Sequence, residues 1–122
     1  MTQENANYTL ENEETELAVS IPVQQAAALY GLGCGILDLG NTANKKSVKK
    51  AVKRLKRHVR AELGVNGSTE LLSQSKGAFD MTLIGVRNNP ALEDFQRTAY
   101  LRSLKDSWEE SFWKGVSAST VV

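Results

Sequence analysis

Residues 22–39 are apolar almost all the way round a helix, and this stretch limits what the chain can fold into. At 100° per residue, Val23, Ala27, Tyr30, Cys34 and Leu37 fall on one side, and Leu29, Leu32, Ile36 and Leu39 on the other. A helix apolar on both sides must be covered on both sides. Pro22 suits its first position, since proline gives up only an amide that has no partner there. Ala27, Gly31 and Gly35 recur at i, i+4 and i+8, a small-residue stripe that lets a second backbone come close. Together with Trp113 they are the expected contacts to a neighbouring copy of the chain. The glycines at 31, 33 and 35 each cost about 1 kcal/mol of helix propensity against alanine. A break within this helix is therefore one consequence to look for.

The remaining residues have to supply the cover. Gly40-Asn41-Thr42 reads as a turn with an N-cap, followed by a second helix over 43–63 that ends at Gly64. Val48, Ala51, Val52, Leu55, Val59 and Leu63 form its narrow apolar stripe. Asn66-Gly67 predicts a turn, with Ser68 or Thr69 capping a third helix. Residues 69–87 suit a helix through Leu72, Phe79, Leu83 and Val86, while alternation over 78–87 leaves a strand open. Helix is preferred because no partner strand is evident. Asn88-Asn89-Pro90 predicts the start of a last helix, running to about 115, with Glu93 paired to Arg97. Only two prolines occur in 122 residues, and 41% of residues are hydrophobic, enough for long helices round one core. The expected fold is all-α, a compact bundle of about four helices. A flexible acidic arm over 1–16 precedes a helical domain over 17–116, and a short tail covers 117–122. Leu17, Val19 and Ile21 alternate with polar or small residues, as in a short extended segment.

Charge is distributed as unevenly as apolarity. Residues 1–44 carry six acids and no Lys or Arg, residues 45–60 carry nine bases and no acid, and the net charge is only +1. Opposite the apolar stripe of the second helix stand Lys46, Lys49, Lys50, Lys53, Arg54, Lys56, Arg57 and Arg60. A phosphate backbone is a dense line of negative charge, and cations on one helical face release its counterions. Contact with ~4 to 5 phosphates would give a salt slope near −4. No base-reading pattern is evident, so binding is expected to be indifferent to sequence. The Glu-rich arm could fold back over this helix and compete with a polyanion.

These residues predict a non-enzymatic nucleic-acid-binding protein, a small subunit of a larger complex, contacting phosphates through its basic helix. The alternative is a structural or assembly subunit of a multimer or virus particle, whose basic helix docks an acidic protein surface. A membrane partner is not expected: the uninterrupted apolar run, Ala26–Leu37, is too short to span a bilayer. The Gly31–Gly35 segment departs from a phosphate loop, having no preceding strand and no Lys-Ser/Thr pair. Cys34 and His58 are each the single residue of their kind, too few for a zinc tetrad, and neither has a sequence-visible partner for catalysis. No cofactor or metal is expected. A lone cysteine and the lack of a secretory pattern suit a cytoplasmic setting.

Overall fold

The computed structural model describes residues 21–40 and 42–119, and within them the protein is all-helical. Three helices follow in order: α1 (Val23–Leu39), α2 (Lys45–Arg87) and α3 (Asp94–Ser119). The expected acidic arm, and most of the expected 17–21 segment, lie outside the described residues. Ile21 is described and packs half-buried against the core.

Helix α1 is the axis round which the others pack. Ala26, Ala27 and Ile36 are fully buried in it. Its three glycines face three different neighbours, and a Cβ on any of them would collide. At Gly31 it would run into the Ser75 carbonyl group of α2. At Gly33 it would meet Val52 of α2 at 2.5 Å and Phe112 of α3 at 2.8 Å, and at Gly35 Trp108 of α3 at 2.6 Å. The helix runs unbroken through all three, so close packing offsets their poor propensity. Gly40 ends it with φ 72° and ψ −175°, a conformation essentially reserved for glycine, and its N–H donates to the Leu37 carbonyl (3.2 Å).

Helix α2 is interrupted once, at Gly64, where φ 76° and ψ 178° again need a residue without Cβ. It has two arms, 45–63 and 65–87. The first buries Val48, Ala51, Leu55 and Val59, and the second Ser68, Leu72, Leu83 and Val86. The helix resumes directly after Gly64, so Asn66-Gly67 is not a turn and Ser68 is not a cap. The Ser68 hydroxyl, buried, donates instead to the Val65 carbonyl (3.0 Å), and Thr69 does the same at 2.7 Å. Residues 78–87 are helical, which closes the strand option.

Asn88-Asn89-Pro90 makes a turn rather than a helix start. Asn89 Oδ1 accepts the Ala91 N–H (2.9 Å), and the chain turns on to Glu93 before α3 begins. The Gln96 side chain there accepts the Glu93 N–H (2.9 Å), which supplies half of a capping box. Arg97 fastens the turn by donating to the Val86, Asn89 and Leu92 carbonyls at 3.3, 3.0 and 2.8 Å. Its ion pair is with Asp94 (2.9 Å), not with Glu93. Helix α3 also outlasts its expected end. Val116 joins the core, and the buried Ser119 hydroxyl donates to the Val116 carbonyl (2.8 Å), so residues 117–119 are helix rather than tail.

Aromatic rings from α2 and α3 pack against the glycines of α1. Trp108 stands edge-on to Phe79 (centroids 5.2 Å apart), and Phe112 is fully buried and edge-on to Trp113 (5.1 Å). No helix among the described residues is long and apolar enough to cross a membrane.

Candidate nucleic-acid interface

The first arm of α2 presents one cationic face. Its buried residues pin the helix by one narrow stripe, and the opposite side turns to solvent. Lys46, Lys49, Lys50, Lys53, Arg57 and Arg60 are exposed, and Arg54 and Lys56 are half-buried. At 100° per residue these eight cations fall within an arc of about 160°, diametrically opposite the stripe. From Lys46 to Arg60 the face is about 21 Å long, at a rise of 1.5 Å per residue.

The two ion pairs among the described residues, Lys76–Asp80 and Arg97–Asp94, both lie outside 45–60. Arg57 already engages another group of the protein. No described carboxylate forms an ion pair with the other seven. His58 stands half-buried at the border of the stripe.

The small-residue stripe is placed differently from its expected use. Ala27, Gly31 and Gly35 are buried under the chain's own α2 and α3, so the close backbone approach is made inside the molecule. Trp113 is half-buried against Phe112 and packs on the core. Of the four residues expected at a contact with another copy, it alone retains exposed surface.

Cys34 is half-buried on α1. Burial pushes its thiol pKa up, reinforced by the carboxylates of Asp38 and Asp80 and opposed by a hydrogen bond from Tyr30 and by the Lys76 charge. Burial also raises the Tyr30 hydroxyl, and the neighbouring Cys34 adds to it. A thiol so placed stays protonated at neutral pH, which disfavours nucleophilic use. No group of three or more His, Cys, Asp or Glu side chains among the described residues could hold a metal ion.

A second group of cations gathers where the three helices meet. Arg87, Arg102 and Lys105 converge on a single cleft, beside Leu39 and Leu101. They come from two helices separated by a turn, and only the i, i+3 spacing of Arg102 and Lys105 hints at a shared face.

Comparison with protein-family models, with curated proteins and with solved structures finds no match to this chain.

Proposed function

We propose that the protein binds nucleic acid without sequence preference, gripping phosphates along the first arm of α2, and does so as a small subunit of a larger complex. One observation carries the reading: a cationic face on an arm whose buried stripe lies on the opposite side. Phosphate contacts position a protein on nucleic acid, and lysine and arginine side chains of this reach supply them. The face shows no base-reading constellation, which is why the reading stops at the backbone.

Lys49→Glu, Lys50→Glu and Lys53→Glu combined tests it, because all three side chains are exposed and clear of the core. Fluorescence anisotropy with a labelled duplex and a labelled single strand at 0.05 M salt should show the variant at least ~100-fold weaker, with unchanged helicity. The wild type should lose roughly 200-fold between 50 and 200 mM salt, following a slope near −4. Wild-type protein that fails to bind either strand at the lower salt sinks the reading.

The second reading, an assembly subunit docking an acidic protein surface, draws on exposed apolar side chains. Met81 (69%), Phe95 (70%) and Tyr100 (53%) stand in solvent on α2 and α3, as residues that meet another chain would. Size-exclusion chromatography with the 260/280 absorbance ratio separates the two. Co-purifying nucleic acid favours the first, and a defined multimer free of it favours the second.

A further inference from the structure

We propose that the cleft between the end of α1, the end of α2 and the middle of α3 binds a compact phosphate-bearing anion. This does not rest on the reading of residues 45–60, which lie outside its lining. The cleft holds about 230 Å³ and is lined by Leu39, Arg87, Thr98, Leu101, Arg102 and Lys105, with Gly40 at the rim. Three cations meet there, and no carboxylate lines the wall.

The plainer account is that these cations merely cap the C-terminus of α1. Arg87 does cap it, donating to the Asp38 carbonyl (3.2 Å), while the Gly40 N–H serves Leu37. That accounts for one cation of three. A helix C-terminus carries about half a negative charge, and three full positive charges exceed it severalfold. Arg102 and Lys105 form no ion pair with any described carboxylate. The Asp38 carboxylate at the α1 end lies with Asp80 and Lys76. Like charges brought together without a counter-ion repel one another, and a bound anion removes that repulsion.

The lining also describes the ligand. Guanidinium groups match phosphate oxygens two at a time, Lys105 adds a point charge, and the Thr98 hydroxyl can donate a further bond. Tied by one nitrogen to Asp38, the Arg87 fork is already oriented. Leu39 and Leu101 are half-buried and give an apolar floor for a small organic group beside the phosphate. The volume lies below that of pockets for drug-sized ligands, which run from about 300 Å³ upward. A phosphate monoester or a chain-terminal phosphate fits this description.

Calorimetric titration of the whole protein with pyrophosphate and with glycerol phosphate at low ionic strength tests the site, with Arg102→Gln and Lys105→Met combined as the variant. Both replacements keep the aliphatic stem, and circular dichroism and melting confirm the fold. Saturable binding by the wild type, weakened at least ~10-fold in this variant and by less than ~2-fold in the Lys49/Lys50/Lys53 reversal, is the expected result. Absence of saturation by about 10 mM overturns the proposal, as does equal weakening in both variants. Oligonucleotides with and without a 5′-phosphate distinguish the sources. A preference for the phosphorylated end that the cleft variant loses identifies a nucleic-acid terminus. Binding of glycerol phosphate without that preference identifies a free small phosphate.

Discussion

The two arms of α2 face the same core and meet it in the same way, yet their outer sides differ in chemistry. Each lays a narrow stripe on α1: Val48, Ala51, Leu55 and Val59 before Gly64, and Ser68, Leu72, Leu83 and Val86 after it. Outside, the first arm shows an unbroken run of lysine and arginine, whereas the second shows Ser73, Gln74, Ala78, Met81, Thr82, Ile84 and Gly85. The second arm demonstrates that packing against α1 needs no cationic cover. Under the proposed function, the bases of the first arm serve a polyanion rather than the packing.

Several substitutions press on this comparison. Gly31→Ala drives a methyl group into the backbone at Ser75, so the second arm must leave α1 while the first keeps its contact at Gly33. A loss of about 3 kcal/mol is expected, seen as a fall of ~10 °C or more in Tm. A stable variant would mean that the second arm is not clamped as described. Gly64→Ala forces a side chain into a glycine-only conformation at the point dividing the arms, with nothing nearby to clash. Strain alone should cost about 2 kcal/mol by urea unfolding. On the outer side of the second arm, Gly77→Ala and Gly85→Ala meet open space, and each should add roughly 0.5–1 kcal/mol. Opposite signs for glycines 31 and 77 separate clamped surface from free surface within one measurement series.

The smallest effect concerns the i, i+4 pair Lys76–Asp80 (2.9 Å), on the second arm. The hydrogen bond from Lys76 lowers the Asp80 pKa, and the same bond raises that of Lys76. The contribution of Asp80 is thus present above the ordinary carboxylate pKa and lost as pH falls through its lowered value. That of Lys76 is present below the ordinary amine pKa and lost as pH rises through its raised value. Both groups are partly exposed, so solvent screening limits the pair to about 0.5 kcal/mol. Asp80→Asn should lower Tm slightly at pH 7, and the difference should fade as pH falls through the lowered pKa of the wild-type carboxyl. A pH-independent difference would assign the effect to packing instead.

Much of this arrangement can be read from residue order. The stripe and the cationic face of the first arm follow from 3.6-residue periodicity, because apolar and charged residues are segregated there, although Leu63 at the end of the expected stripe is exposed and Arg54 and Lys56 are half-buried. Helix α1 is legible for the same reason in reverse, its only polar side chains besides Tyr30 lying at its two ends, at Gln24, Gln25 and Asp38. Turn signals were less informative. Asn66-Gly67 is tolerated inside a helix because the second arm is held by Ser68 and Leu72, and tertiary packing outweighs a weak local preference. Pro90 follows Asn89 into a turn, since Arg97 and Gln96 stabilise a start at Asp94. The glycine stripe announced a close approach but not which backbone makes it. The cleft of Arg87, Arg102 and Lys105 depends on how two helix ends and a third helix meet, which no linear spacing encodes.

The position of α1 at the axis sets a schedule for synthesis. It leaves the ribosome before α2 and α3, which pack round it. At about 5–20 residues per second, the stretch from 40 to 119 takes roughly 4–16 s to follow. Over that interval a helix so largely apolar would be a hazard. An isolated segment of 17 residues with three glycines is a poor helix in water, however. The small residues that let the finished neighbours close in thus also keep the nascent segment uncoiled until those neighbours exist.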